Sequence, residues 1–129
     1  VENKAKTVLV VEDDAINLMV FKRYLSPRFA VMAATGAEEA LALLRHQPAD
    51  LLLLDIELGD PSMDGVALLA AIRQLPGYQS VPAIASTAYV GKDDTLRLMA
   101  AGFNAHSPKP IEKETLLAAV DKLLGRTSS

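Results

Sequence analysis

Glu12, Asp13 and Asp55 are the residues best placed to do chemistry in this chain. The first two follow the apolar run Val8-Leu9-Val10-Val11, and the third follows Leu51-Leu52-Leu53-Leu54. Short, continuous apolar runs suit strands buried on both faces of a parallel sheet. In such a sheet, ligand sites lie outside the carboxyl ends of the strands. If the two strands are neighbours, three acidic groups converge on one rim. Clustered carboxylates raise one another's pKa unless a cation sits between them. A hard divalent ion such as Mg2+ suits that position, because it takes oxygen ligands and keeps several waters. The simpler alternative is that Asp13 and Asp14 only cap the helix that follows.

Two further residues fall at later strand ends. Thr87 follows Ala83-Ile84-Ala85-Ser86, and Lys109 lies in Ser107-Pro108-Lys109-Pro110. Singly, each has a plain explanation: a surface lysine paired with an acid, and a β-branched strand residue or helix cap. Together, a hydroxyl and an ammonium facing three carboxylates suit an arriving phosphoryl group, whose charge Mg2+ and Lys109 neutralise while Thr87 adds a hydrogen bond. Positioning and charge stabilisation are most of what phosphoryl transfer asks of a protein. Asp55, nearest the centre, is the candidate nucleophile for an aspartyl phosphate.

The elements that must position these groups alternate along the chain. A strand near Thr7 to Val11 leads into a helix over Ala15 to Leu25, with Ile16, Val20 and Tyr24 spaced to share a face. A strand over Phe29 to Ala33 precedes a capping box, Thr35-Gly36-Ala37-Glu38, in which Thr35 caps and Glu38 reaches back. Its helix runs to His46, with Ala37, Ala40, Leu41 and Leu44 inward. After the Leu51–Leu54 strand, a polar loop from Glu57 carries turn chemistry to Asp64, which is placed to cap a helix from Gly65 to about Leu75. A strand over Pro82 to Ser86, a helix over Lys92 to Ala101 stopped by Gly102, a strand over Asn104 to His106 and a helix over Glu112 to Leu124 complete the chain. Strict alternation implies a parallel sheet with helices on both faces. The expected fold is α/β: a flavodoxin-like three-layer (βα)5 sandwich with strand order 2-1-3-4-5. That order is the common solution for five strands, and it sets strands 1 and 3 side by side.

The 129 residues fit one domain, and half of them are hydrophobic. The expected boundaries are an N-terminal extension over 1–6, the domain over 7–125 and a tail over 126–129. A net charge of -3 and the lack of a basic block argue against direct nucleic-acid binding. The absence of cysteine excludes disulfides, thiolate metal sites and Cys nucleophiles. No apolar stretch reaches the roughly 20 residues of a membrane span, and no secretory signal is visible. A cytoplasmic location is expected. The chain begins with Val1, so excision from a longer protein is expected to be open.

From Thr7 to Leu124 the sequence resembles the receiver domains of two-component response regulators. The resemblance rests on Val8-Leu9-Val10-Val11-Glu12-Asp13-Asp14, Leu54-Asp55-Ile56-Glu57, Met63-Asp64-Gly65, Thr87-Ala88 and Lys109-Pro110. It implies that Asp55 accepts a phosphoryl group from a phosphohistidine on a histidine kinase or a histidine phosphotransfer protein. It implies that Glu12, Asp13 and Asp55 bind Mg2+, with Glu57 adding its backbone carbonyl. Lys109 and Thr87 would contact the phosphoryl oxygens, and Ala88 would leave room for them. Such a protein is not a conventional enzyme; it phosphorylates and dephosphorylates itself. Movement of Thr87 would couple phosphorylation to the surface of helix 4, strand 5 and helix 5, through which a homodimer or output domain could act. The bond before Pro110 is typically cis in the family. Asp14 to Leu18 and Ala101-Gly102 look most like receivers attached to hybrid sensor kinases.

Three departures from the family pattern stand out. The loop Leu58-Gly59-Asp60-Pro61-Ser62-Met63 is about two residues longer than usual and lacks a clean match to the usual proline; Asp60 is expected to face solvent. His106 stands where an aromatic switch residue is common, which could make the switch pH-sensitive or leave only a strand-end His. Glu57 and Tyr89 occupy the positions two past Asp55 and Thr87, which tune phosphoryl lifetime in the family. Competing readings are a degenerate receiver that only binds protein, an aspartyl-nucleophile phosphohydrolase resembling the haloacid-dehalogenase start, and a flavin-binding module. Against the last, Glu12-Asp13-Asp14 would repel a phosphate.

Overall fold

The computed structural model describes residues 6–59, 63–88 and 91–125. The segments discussed above as Asp60 and Tyr89 lie outside them. Among the described residues ten elements alternate: β1 Thr7–Val11, α1 Ala15–Leu25, β2 Ala30–Ala34, α2 Ala37–His46, β3 Leu51–Asp55, α3 Gly65–Arg73, β4 Ala83–Thr87, α4 Lys92–Ala100, β5 Ala105–Pro108 and α5 Lys113–Leu123. All strand pairs are parallel, and the sheet order is β2-β1-β3-β4-β5, as expected.

The side-chain period of two along each strand divides the core into two layers. Leu9, Val11, Leu52, Leu54, Ala83 and Ala85 meet Ala40 and Leu44 of α2, Leu68, Leu69 and Ile72 of α3, and Leu98 of α4. Val8, Val10, Leu51, Leu53 and Ile84 meet Phe21 and Leu25 of α1 and Leu116 and Val120 of α5. Each strand of the central trio is therefore apolar on both faces. β3 is buried along its whole length, and its register, Val11 beside Leu54 and Asp55 beside Ser86, brings the acid-bearing ends to one rim.

Helix caps position that rim, while the turns after the helices and Arg73 lie at the opposite end of the sheet. Asp14 caps α1 by accepting from the Asn17 N–H, and Asp64 caps α3 by accepting from the Ala67 N–H. Gly77, Gly102 and Gly125 take positive φ where the chain leaves α3, α4 and α5. Arg73, at the end of α3, donates to the carbonyls of Tyr78, Val81 and Gly102 and so ties the chain entering β4 to the turn before β5.

Several expectations need correction. The shared face of Ile16, Val20 and Tyr24 is not the buried one throughout: Ile16 is 67% exposed, and the buried residues of α1 are Phe21 and Leu25. The helix carries two apolar stripes; Phe21 and Leu25 enter the core with Leu18 and Tyr24 packed against it, while Ile16 stays outside. The capping box is shifted by one residue. Gly36 is the N-cap of α2, and Glu39 rather than Glu38 accepts from Thr35, from both its N–H and its hydroxyl. Because the helix starts one residue later, its third position is Glu39. β2, β4 and β5 end one or two residues further on than their apolar runs, since backbone pairing continues past the last apolar side chain. α3 ends at Arg73 rather than Leu75, and Glu112 caps α5 instead of opening it.

Candidate functional site

Asp55 is the last residue of β3 and is 1% exposed. A carboxylate so placed needs partners. Lys109 Nζ donates to its Oδ1 at 3.0 Å, and the Glu57 N–H donates to the same oxygen at 3.0 Å. Lys109 also stands 3.9 Å from Glu12 Oε1 and 3.8 Å from Glu57 Oε1. One ammonium thus faces carboxylates from the ends of β1 and β3. The Lys109–Pro110 bond is cis, as expected from the resemblance.

Glu12, also 1% exposed, accepts the Asp14 N–H with Oε2. Among the described residues its Oε1 is buried with no hydrogen-bond partner, the Lys109 ammonium standing 3.9 Å away. Burial pushes the Glu12 carboxyl up to about 7, and the adjacent Asp55 carboxylate adds to the shift; the Asp14 N–H and Lys109 oppose it. Burial pulls the Lys109 ammonium down, but the hydrogen bond and charge of Asp55, with Glu12 and Glu57, outweigh it and leave its pKa above the ordinary lysine value.

Asp13 and Asp14 divide the two roles open to them. Asp14 is the helix cap, and Asp13 turns to the acidic cluster. Among the described residues, Glu12, Asp13 and Asp55 form the group able to hold a metal ion, each offering a carboxylate oxygen within 4.8 Å of the others. The donor set is all hard oxygen, one of those acids carries the unpartnered buried Oε1, and the cluster is anionic. These features fit Mg2+.

Thr87 ends β4, is 2% exposed, and points its hydroxyl at the same rim. It donates to Glu57 Oε2 at 2.7 Å. The structure therefore gives the Glu57 side chain a partner that spacing did not suggest. Strand alternation gave no signal for it, since β3 ends at Asp55 and Asp55 is in register with Ser86 rather than Thr87. Ala88 is exposed immediately after Thr87. His106 is half-buried and pairs with Ala85 in register, so it shares the sheet face of Thr87 one step below the rim. It lines a groove of about 310 Å³ with Thr95, Leu98 and Met99 of α4 and Phe103. His106 does not join the acidic cluster.

Two glycines shape the site by close approach. A Cβ on Gly65 would lie 2.4 Å from the Asp55 carbonyl oxygen and 2.8 Å from Ile56 Cα. The Gly65 N–H donates to the Ile56 carbonyl at 3.1 Å. The start of α3 can sit this near the end of β3 only without a side chain. In the long loop, Leu58 is buried in the core, and a Cβ on Gly59 would stand 2.9 Å from Asp13 Oδ2. The described part of the loop therefore packs beside the acidic cluster.

Comparison with known proteins agrees with this architecture. The family model described as the response regulator receiver domain matches residues 8–121, and the chain belongs to that family. It is 34% identical over 113 residues to the signal transduction histidine-protein kinase BarA of Escherichia coli K12, covering 87% of this chain but only 12% of BarA. The crystal structure of a putative response regulator from Chloroflexus aurantiacus is similar with a TM-score of 0.86 and 30% identity, covering 95% of this chain and 100% of that one. The receiver domain of sensor histidine kinase PA1611 from Pseudomonas aeruginosa, which has a magnesium ion coordinated in its active-site cleft, is similar with a TM-score of 0.82 and 28% identity over 94% of this chain and 98% of that one. The chain is thus a two-component receiver domain. Its family membership does not favour the phosphohydrolase, flavin or binding-only readings. No helix among the described residues is long and apolar enough to cross a membrane.

Proposed function

We propose that this receiver takes a phosphoryl group onto Asp55 from a phosphohistidine of a histidine kinase or histidine phosphotransfer protein. The carrying observation is the Lys109 ammonium seated 3.0 Å from a buried Asp55 that two further acids flank. A carboxylate oxygen of Asp55 attacks phosphorus. The new O–P bond forms as the N–P bond to the imidazole breaks, and the imidazole leaves with that electron pair. Lys109 neutralises charge on the phosphoryl oxygens, Thr87 donates a hydrogen bond to them, and the small side chain of Ala88 leaves space beside it. Glu12, Asp13 and Asp55, with the Glu57 backbone carbonyl, hold Mg2+, which supplies positive charge to the anionic group. The magnesium ion coordinated in the active-site cleft of the PA1611 receiver supports Mg2+ as the ion taken here.

Output follows from the face shared by Thr87 and His106. Phosphorylation favours one of two arrangements of Thr87, and His106 follows it against α4. Leu96 and Met99 of α4 are 59% and 58% exposed, which supports docking of an output domain or second copy on the α4–β5–α5 face. The match to 12% of the histidine-protein kinase BarA supports a setting within a larger histidine kinase; the domain over 7–125 would then be one module of a longer chain.

Intact mass after incubation with acetyl phosphate tests the reading. One phosphoryl adduct that requires both Mg2+ and Asp55, and is lost in Asp55→Asn, is the expected result. A folded protein that gains no adduct from acetyl phosphate or from a phosphorylated histidine phosphotransfer domain would overturn it.

A further inference from the structure

Glu57 holds both groups that the phosphoryl group would need. Its Oε2 accepts the Thr87 hydroxyl at 2.7 Å, and its Oε1 stands 3.8 Å from Lys109 Nζ. Its own N–H is committed to Asp55 Oδ1 at 3.0 Å, which anchors the residue beside the phosphorylation site. The side chain is 36% exposed. Water can therefore replace Thr87 at this carboxylate, and breaking the bond costs little.

We propose that the Glu57 carboxylate is an internal competitor of the phosphoryl group: it holds the Thr87 hydroxyl and attracts Lys109 while Asp55 is unmodified, and gives both up when Asp55 is phosphorylated. An anion with two oxygens stands in for an anion with three. The Thr87 hydroxyl has one proton to donate, so a bond to a phosphoryl oxygen excludes the bond to Glu57. The incoming charge also repels the carboxylate. Glu57 thus biases the two-state element toward its resting arrangement and sets how strongly phosphorylation must pull to reverse it. In this role Glu57 is a positioning residue that acts through Thr87. The proposal rests on the phosphoacceptor reading of Asp55.

The test is binding of the phosphoryl mimic BeF3−, formed from beryllium chloride and sodium fluoride, in saturating Mg2+. The whole chain is compared as wild type, Glu57→Gln, Glu57→Ala, Thr87→Val, Glu57→Gln with Thr87→Val, and Asp55→Asn. Glu57→Gln and Glu57→Ala are expected to tighten apparent binding about fivefold or more. In the Thr87→Val background, Glu57→Gln should change it less than about twofold, because the competed hydroxyl is gone. In unliganded Glu57→Ala, the Thr87 methyl resonance should move toward its position in the BeF3−-bound wild type. Unchanged or weaker binding by the Glu57 variants overturns the proposal, as does an unmoved Thr87 methyl. An equal gain with Val at position 87 also overturns it, since that is plain charge repulsion. Those outcomes leave the phosphoacceptor reading intact if wild type binds and Asp55→Asn does not. Absence of binding to folded wild type sinks both.

Discussion

Lys109 Nζ and Asp55 Oδ1 meet at 3.0 Å across 54 residues of chain, joining the ends of β5 and β3 over the intervening β4. The pair is the electrostatic keystone of the rim, because Glu12 and Glu57 also face the same ammonium. Replacing it with Lys109→Met leaves buried acids unpaired. Without divalent ions this should cost about 1–3 kcal/mol of stability. Urea unfolding with and without Mg2+ checks it: Mg2+ should recover most of the loss, while the rate of acetyl-phosphate labelling stays at least about tenfold below wild type. Equal stability in both conditions would show that the pair is dispensable for folding.

Glu12 makes the metal-free protein sensitive to pH. Its folded pKa is about 7, against an ordinary value of 4.5. Between those values the folded protein holds a proton that the unfolded chain has lost. Stability from this group is therefore greatest below the ordinary value, falls as pH rises and levels off above about 7, a loss of about 3 kcal/mol across the window. Mg2+ competes with the same proton, so its apparent affinity should weaken as pH drops below 7. Thermal unfolding and Mg2+ titration at pH 6 and 8 measure both slopes; Glu12→Gln should flatten them.

Asp13 and Asp14 are adjacent but should respond oppositely. Asp14→Ala removes the acceptor for the Asn17 N–H and should cost about 1 kcal/mol with Mg2+ affinity changed less than about twofold. Asp13→Ala removes a member of the acidic cluster and should lower Mg2+ affinity about tenfold or more, with no loss of metal-free stability. Chemical denaturation paired with metal titration on the two variants separates a cap from a ligand.

Gly65→Ala places a methyl against the Asp55 carbonyl and Ile56 Cα, both backbone atoms that cannot rotate away. Displacing α3 from β3 should cost about 1–3 kcal/mol and lower Tm. Since Asp55 moves with that strand end, labelling should slow as well. Scanning calorimetry and intact mass on the same sample check the two effects together.

The strand–helix alternation, the acidic pair after β1, the lone acid after β3 and the caps Asp14 and Asp64 were legible because each is a local property. Apolar runs, capping residues and breakers act within a few positions of one another. With the alternation known, parallel pairing and convergence at the carboxyl ends follow. The inward face of α1 was not legible. Ile16-Val20-Tyr24 and Leu18-Phe21-Leu25 are both helical stripes, and only docking on the sheet beside α5 decides that Phe21 and Leu25 go in. The capping register of α2 was uncertain by one residue for a similar reason, since Glu38 and Glu39 are both acids within reach of a threonine.

By itself, then, the sequence determined the class of fold, the composition of the acidic rim and the identity of its lysine, because these depend on residue type and order. Tertiary structure alone decided that Glu12 would carry an unpartnered buried oxygen, that Gly65 must lie against Asp55, and that Glu57 would hold Thr87 across 30 residues of chain. Those are distances between strand ends, set by sheet register and by how closely α3 packs on β3, and local periodicity carries no information about either.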